Sequence, residues 1–265
     1  MIMPRPAAPA TFSILDAVLF GYRFALYNAK YLAIIGIVPF IAELATGYLA
    51  DQLMDSKQSA LTNLMLGLPS ICMAGWYMFL VIRLAVLGER ADRLPDDRPF
   101  LAERGRLMWA SILTWMLFNM TIMLAAMIIM SATRTLQAGP NALMAIANLV
   151  TIAFCFWAAR FGVLHYLAAV DYPLRLYVTK AQGFLTSFRW IGLALLCVLP
   201  CAFVQQGFML PFMPDGIPSL QTMTDVQKIA LMLIGSAFSV IMTAIVTGAC
   251  AHALKQMLGT NRHRA

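Results

Sequence analysis

Residues Leu107–Thr133, LMWASILTWMLFNMTIMLAAMIIMSAT, decide the fold, because these 27 consecutive positions carry no charged side chain. About 20 apolar residues in a helix cross the ~30 Å hydrocarbon layer of a bilayer, so this run is long enough for one tilted span. The whole chain of 265 residues is 61% hydrophobic and only 12% charged. A soluble domain carries about 25% charged residues. The sequence therefore predicts an all-α, polytopic membrane helical bundle.

Hydropathy predicts six transmembrane helices, near residues 31–50, 61–82, 108–133, 142–159, 188–212 and 229–253. They belong to a single membrane domain, residues 11–258. A disordered N-terminal tail (1–10) precedes this domain, and a basic C-terminal tail (259–265) follows it. Prolines inside the predicted spans each predict a kink or a helix end, because neighbouring helices must satisfy the freed carbonyls. These prolines are Pro39, Pro69, Pro200 and Pro211.

Lysine and arginine are divided unequally between the two sides of this predicted topology. Sixteen lie on the side of the N-terminus, and the other side holds Lys57, Arg134 and Lys228. Short loops rich in Lys and Arg stay in the cytosol. The start of the chain also lacks the early apolar stretch of a secretory signal. We therefore expect a multi-pass protein of a bacterial cell inner membrane, with an even number of spans and both termini in the cytosol.

A basic residue followed within three positions by an aromatic leads into three of the spans. The junctions are Lys30-Tyr31, Arg106-Leu107-Met108-Trp109 and Arg189-Trp190. This pattern is consistent with three tandem helical-hairpin repeats. The alternative is general anchoring, because cations and amphipathic aromatics prefer the headgroup layer in any multispan protein.

Each hairpin is predicted to follow an amphipathic helix on the cytosolic membrane surface. In the first, residues 11–30, Ser13 and Asp16 fit a capping box, and an apolar stripe contains Leu15, Leu19, Tyr22 and Leu26. The third, residues 173–190, has the same helical periodicity, whereas the second, after Pro99, is short. These stripes could instead pack on the bundle itself.

The segment Phe12-Ser13-Ile14-Leu15-Asp16-Ala17, continuing to Gly21-Tyr22-Arg23 and a span with an early Pro39, carries a resemblance. It resembles a family of uncharacterised bacterial six-span inner-membrane proteins, similar to the membrane domain fused to some glycerophosphodiester phosphodiesterases. Arg160 followed by residues 173–190 extends the likeness. The resemblance implies a six-span membrane domain without the soluble catalytic domain, and it offers no catalytic residues to carry over.

Glu43 is the acidic residue placed well inside a predicted span. A charged carboxylate near mid-membrane costs about 2.5–3.5 kcal/mol on insertion scales, so it usually faces a partner or water. Glu43 is therefore the candidate intramembrane functional residue, as a proton or cation site or in an ion pair. Two alternatives are a position near the outer interface and a protonated, hydrogen-bonded side chain.

Cations at the cytosolic span ends are candidate lipid-headgroup or interfacial anchors, since long basic side chains reach from a helix end to the headgroups. These are Lys30, Arg83, Arg106, Arg160 and Arg189. Their placement explains the net charge of +7, so the charge does not indicate nucleic-acid binding. The partners expected are anionic headgroups of the cytosolic leaflet, together with other proteins or further copies of the chain.

The chemical motifs of common enzymes are missing from the sequence. It contains no His-Glu-x-x-His, no Gly-x-Ser-x-Gly and no phosphate-binding loop, and Cys197 and Cys201 lack a matching ligand pair. We therefore expect no catalytic residues, no metal and no cofactor. The leading hypothesis is a non-enzymatic membrane protein that acts through lipids or proteins. The alternative is a small-molecule or ion transporter or channel that uses Glu43.

Overall fold

The structure is a computed structural model that describes residues 12–53, 60–135, 161–173, 177, 184–213 and 223–259. Within these ranges the chain forms helices and no strand. The α-helices are α1 Ile14–Tyr27, α2 Ala29–Leu53, α3 Ala60–Leu87, α4 Arg98–Thr135, α5 Leu164–Ala169, α6 Phe184–Met209 and α7 Asp225–Gly259. Short 3-10 helices occupy Ala91–Arg93 and Leu210–Phe212.

Five of these helices, α2, α3, α4, α6 and α7, are long and apolar enough to cross a membrane. They coincide with five of the six predicted spans, so the chain is a multi-pass membrane protein. The remaining predicted span, 142–159, lies outside the described residues. Six spans and the three-fold repeat therefore stay predictions. Pro39, Pro69 and Pro200 lie inside continuous helices, whereas Pro211 lies in the short 3-10 helix that follows α6.

Helix α4 differs from its prediction at its beginning. The residues after Pro99 form no separate surface helix, because α4 starts at Arg98 and runs unbroken for 38 residues. Proline is tolerated in the first turn, where its missing N–H would have no helical partner. At 1.5 Å per residue α4 is about 57 Å long, so it extends beyond a ~30 Å hydrocarbon layer.

Helix α7 is the centre of the bundle and packs against α1, α2, α3 and α6. Helices α1 and α2 run antiparallel to α7, as a series of contacts along their length shows. The contacts run from Ser13 with Gln256, through Phe20 with His252, Gly36 with Val240 and Glu43 with Ser239, to Asp51 with Lys228. Helices α1 and α2 are separated only by Asn28 and together accompany α7 over nearly its full length.

Helix α1 begins as its sequence predicts, since the Ser13 hydroxyl accepts a hydrogen bond from the Asp16 N–H. Its packing face has a glycine at the closest approach to α7. A Cβ placed on Gly21 would lie 2.6 Å from the Ile245 carbonyl oxygen, so only glycine allows this approach. Ala17, Val18 and Phe24 are buried beside Gly21. The alternative that the Leu15, Leu19 and Leu26 stripe packs on the bundle is therefore wrong, because these side chains stay exposed.

The buried core lies toward one end of the bundle. We call the end that contains Arg83, Arg104 and Gln256 the basic end, and the end that contains Asp51, Lys228 and Phe208 the opposite end. Near the basic end, Tyr77 to Arg83 form a continuous buried run in α3. The buried residues of α5 and of the last third of α7 pack with this run. Tight packing is thus concentrated where α1 joins the bundle.

Candidate functional site

Glu43 is half-buried, at the 15th of 25 positions in α2. One of its carboxylate oxygens accepts a hydrogen bond of 2.8 Å from the hydroxyl of Ser239, near the middle of α7. It is well separated from the ion pair between Asp51 and Lys228 that joins the same two helices at the opposite end. Among the described residues Glu43 has no ion-pair partner.

A cavity of about 480 Å³ lies beside this hydrogen bond. Its walls come from α3, α4, the segment from Gly162 to Tyr166, α6 and α7, and Ser239 is one of the lining residues. Most of the lining is aliphatic or aromatic, and none of the described lining residues carries a formal charge. A largely apolar cavity of this size is typical of a small-molecule site.

Three aromatic residues beside this cavity carry unpaired polar atoms. The indole nitrogens of Trp115 and Trp190 and the Nε2 atom of His165 are buried and have no hydrogen-bond partner among the described residues. All three residues line the cavity. His165 and Trp190 are 3% and 4% exposed, so their polar atoms are almost fully desolvated. Each of these atoms is covered by surrounding protein rather than open to the cavity, so it is an unpaired group that costs free energy.

The hydrogen bonds around His165 determine its tautomer. Its ring bonds to the Gly162 carbonyl, and Nε2 has no partner within the described chain, so Nδ1 is the donating nitrogen. Burial lowers the pKa of His165 to about 3, which keeps the ring neutral. Nε2 therefore carries the lone pair and is a buried, unpaired acceptor. The backbone at this position is held by Ser111, whose hydroxyl donates to the His165 carbonyl at 3.0 Å.

A second group of polar residues lies nearby on α7. The Thr247 hydroxyl is close to the Tyr166 hydroxyl, although it forms no hydrogen bond of good geometry within the described residues. Cys250 lies beside the same pair. These side chains are buried and line the same cavity, so they add polar surface without adding charge.

The basic end contains an ion cluster that joins α3 to α4. Glu89 lies between two guanidinium groups: Arg83 donates to it through Nε at 2.7 Å, and Arg104 donates to it at 2.6 Å. Both guanidinium groups also lie over the Phe79 ring. Burial acts to raise the pKa of Glu89, but hydrogen bonds and charge from Arg83 and Arg104 outweigh it, so the pKa is lowered from its usual 4.5. The carboxylate is therefore held in its charged form.

Arg83 thus occupies a different environment from the one expected of a headgroup anchor. It is 6% exposed, it pairs with Glu89, and it donates a 2.9 Å hydrogen bond to the Ala169 carbonyl. It does not contact Glu43. The carboxylate of Glu89 lies only six residues away, and pairing with it satisfies the guanidinium within the protein.

The other candidate anchors are placed in several ways. Lys30 is exposed, and Arg106 is exposed while pairing with Glu103 and Asp171. Arg189 is half-buried and donates to the Phe12 carbonyl at 3.4 Å. Arg160 lies outside the described residues. Among the described residues, no group of three or more His, Cys, Asp or Glu could hold a metal ion.

The exposed face of α1 combines leucines with a cation. Leu15, Leu19 and Leu26 are 69%, 53% and 76% exposed, and Arg23 is exposed beside them at helical spacing, while Lys30 is exposed in the first turn of α2. Tyr22, at the edge of this face, donates to the Cys197 carbonyl at 2.7 Å and so ties α1 to α6. Helix α1 therefore has one face packed on the bundle and another face available to lipid.

The chain matches no known protein family, no curated protein and no solved structure. The resemblance seen in the sequence therefore stays a prediction, and the candidate site depends on geometry alone. Sequence reasoning identified Glu43 but not its partner Ser239, and it missed the ring pair of Trp115 and His165. A histidine in an apolar segment was the available signal, because such a histidine has few partners nearby in sequence.

Proposed function

We propose that this chain is an integral protein of a bacterial inner membrane that acts, without catalysis, through contacts with lipids and partner proteins. In this proposal the basic end faces the cytosol, and anionic headgroups gather around it. The observation that carries the proposal is the exposed face of α1, where three leucines lie next to Arg23, with the exposed Lys30 following at the start of α2. An apolar stripe flanked by cations is suited to the boundary between acyl chains and headgroups.

The position of α1 supports this assignment. Its opposite face is fixed to α7 by the close approach at Gly21, and Phe20 stacks on His252 with ring centroids 4.2 Å apart. The exposed leucines therefore cannot turn inward without breaking that packing. Each cation near anionic lipid contributes about 1 kcal/mol, so Arg23 and Lys30 together enrich such lipid locally.

Native mass spectrometry of the protein released from mixed phosphatidylglycerol and phosphatidylethanolamine bilayers tests the proposal. We expect retained phosphatidylglycerol in the wild type and a clear loss of it in the double variant Arg23→Gln with Lys30→Gln. Lys228→Gln at the opposite end is the matched control and should retain the lipid. Equal retention in all three proteins would refute a headgroup role for α1.

The orientation has its own test. Single cysteines at Asp96, in the loop before α4, and at Thr224, before α7, both replace exposed residues. In intact cells a membrane-impermeant maleimide that crosses the outer membrane should label Thr224→Cys and leave Asp96→Cys unlabelled. Labelling of Asp96→Cys alone would reverse the proposed topology.

A transporter is the second candidate, favoured by the hydrogen bond between Glu43 and Ser239 beside the cavity. A carboxylate next to a cavity within the membrane is suited to binding a proton or a cation. Glu43→Gln would then abolish pH-dependent flux in proteoliposomes, while Ser239→Ala would weaken it and expression would stay unchanged. If only abundance or thermal stability changes in Glu43→Gln, the residue has a packing role and the transporter hypothesis fails.

A further inference from the structure

The start of α1 is joined to the end of α7 by two hydrogen bonds in series. The backbone N–H of Ser13 donates to Oε1 of Gln256 at 3.0 Å. The other polar atom of that amide, Nε2, lies 3.1 Å from Nε2 of His252, which is one turn earlier in α7. The series therefore runs from Ser13 through Gln256 to His252, and only its first bond crosses between the two helices.

The direction of both bonds is fixed. A backbone N–H only donates, so the amide atom that faces Ser13 must be the oxygen of Gln256, and the NH₂ group must face His252. Because an amide NH₂ group also only donates, Nε2 of His252 is the acceptor. The ring is therefore neutral in this arrangement and carries its proton on Nδ1.

A second proton on His252 is incompatible with this arrangement. A protonated ring donates from both nitrogens, so its Nε2–H group would meet the NH₂ group of Gln256, donor against donor. Turning the amide over gives His252 an acceptor, but it directs the NH₂ group at the Ser13 N–H. Hydrogen bonds from a charged donor are the stronger ones. The amide therefore follows His252, and the bond to Ser13 is lost.

The other groups around His252 leave this outcome to the hydrogen bonds. The ring is half-buried and stacks on Phe20 of α1 with centroids 4.2 Å apart, a contact that a protonated ring also makes. Two charged groups act on the ring: Asp16 of α1 favours a second proton, and Lys255 of α7 opposes it. The described parts of α2, α3 and α6 place no charge near enough to act. Because Asp16 and Lys255 act in opposite directions, neither determines the sign of the effect.

We propose that His252 is a proton-binding switch that controls the attachment of the start of α1 to α7. With a neutral ring, Gln256 holds the Ser13 N–H, and with a protonated ring that interhelical bond breaks. Histidine takes up a proton at about pH 6.5 in water, so attachment is complete in mildly alkaline solution and weakens as the pH falls. The switch needs no bound lipid and therefore goes beyond the proposed function.

Hydrogen exchange of single backbone amides tests the proposal. The full chain in pure phosphatidylcholine nanodiscs is compared at pH 7.5 and pH 5.0, by mass spectrometry with electron-transfer fragmentation. Each rate is divided by that of an unstructured peptide at the same pH, which removes the intrinsic effect of acid. We expect protection of the Ser13 amide to fall about fivefold at pH 5.0, the effect of one hydrogen bond, while the Gly21 amide stays unchanged. Equal protection of Ser13 at both pH values would overturn the proposal.

A pair of histidine variants identifies the group that takes up the proton. The side chain of His252→Gln does not titrate, so protection of Ser13 should be the same at both pH values. His263→Gln, in the C-terminal tail, is the matched control and should keep the wild-type fall. A fall that persists in His252→Gln would refute the switch, since Asp16 and Lys255 remain in that variant.

Gln256→Glu should remove or reverse the effect of acid. A carboxylate accepts at both oxygens, so it holds the Ser13 N–H and a protonated His252 at the same time. A glutamate side chain is largely ionised at pH 5.0. We expect protection of Ser13 to be at least as high at pH 5.0 as at pH 7.5. A fivefold fall in this variant would overturn the mechanism, and this result remains informative if His252→Gln does not fold.

The nanodiscs contain no anionic lipid, so this experiment is independent of the test on Arg23 and Lys30. The pKa of Glu89 is lowered from 4.5, so the ion cluster at the basic end stays charged over the range used. A pH response without phosphatidylglycerol binding would refute only the proposed function. Phosphatidylglycerol binding without a pH response would refute only the switch.

Discussion

The two ends of the bundle are stabilised in different ways. At the basic end, Tyr77, Phe79 and Ile82 are almost fully buried, and the cluster of Arg83, Glu89 and Arg104 joins α3 to α4. At the opposite end, large apolar side chains point outward: Phe203, Phe208 and Val226 are 75%, 59% and 75% exposed. There Asp51 and Lys228 connect α2 to α7 with a single ion pair.

This difference shows how the solvent changes along the molecule. Lipid tails are as apolar as leucine, so exposed phenylalanine at the opposite end costs little in a bilayer and packing there gains little from the hydrophobic effect. The basic end includes charged side chains and helix ends that meet water and headgroups. It needs a packed core and paired charges, as a soluble protein does. We therefore expect substitutions to be more destabilising at the basic end than at the opposite end.

The largest effect is expected from Glu89→Ala. This change leaves the buried Arg83 and the largely buried Arg104 without their shared carboxylate. Removing one partner of a buried ion pair typically costs about 3–5 kcal/mol, because the other charge remains desolvated. Unfolding in mixed detergent micelles measures the change. Glu103→Ala, which breaks an exposed pair with Arg106, should cost less than about 1 kcal/mol. Similar losses of stability in the two variants would show that the buried cluster contributes no more than an exposed ion pair.

Acid should weaken the same cluster to a smaller extent, because protonation leaves the Glu89 side chain in place. The pKa of Glu89 is lowered in the folded protein, so its contribution to stability is complete above 4.5. The contribution is lost as the pH falls through the lowered value. Melting temperatures between pH 6 and pH 3 should therefore fall more steeply in the wild type than in Glu89→Gln. Parallel curves would contradict the assignment.

Gly21→Val should separate α1 from α7, because even one Cβ would lie 2.6 Å from the Ile245 oxygen and 2.9 Å from the Ala249 Cβ. Overpacking of this kind costs about 1–3 kcal/mol. At the opposite end Gly207 lies in a helix with no atom near its Cβ position, so Gly207→Ala should stabilise by about 0.5–1 kcal/mol. Thermal unfolding that shifts in the same direction for both variants would break the comparison between the ends.

The smallest effect is expected from Lys228→Ala. The Lys228 Nζ atom is 3.4 Å from the Asp51 carboxylate, and both side chains are partly exposed. Pairs of this kind contribute about 0–1 kcal/mol. The unfolding midpoint in detergent should change little, and raised salt should reduce the difference from wild type further. A loss as large as that of Glu89→Ala would mean that both ends depend on buried charge.

The sequence was most informative where the signal was local. The apolar run at Leu107 predicted the span in α4, and Ser13 with Asp16 predicted the start of α1. The leucine stripe of α1 was predicted to lie at the membrane surface, which stays a prediction, and the alternative that it packs on the bundle is wrong. The bundle contacts use Ala17 and Gly21, which the sequence reasoning did not single out. In a membrane, small residues allow close helix contact and large ones face lipid, which reverses the pattern of a soluble amphipathic helix.

The site was less predictable, because its residues are distant in the chain. Trp115, His165 and Trp190 lie on three separate segments, and nothing in their spacing indicates that they line one cavity. Arg83 was expected to reach the headgroups because charge at a span end usually does so. Its actual partner depends on the turn at Gly88, whose positive φ of 68° returns the chain so that Glu89 meets Arg83.

The contacts between α1 and α7 have a consequence for biosynthesis. The N–H of Ser13 bonds to Gln256, 243 positions later, so the ribosome makes the surface on which α1 docks long after α1 itself. Helix α1 must wait, with Gly21 and Phe24 uncovered, until α7 enters the membrane. Closure of the bundle is thus coupled to the synthesis of α7, and a chain that stalls before α7 leaves an uncovered helix for quality-control proteases to find.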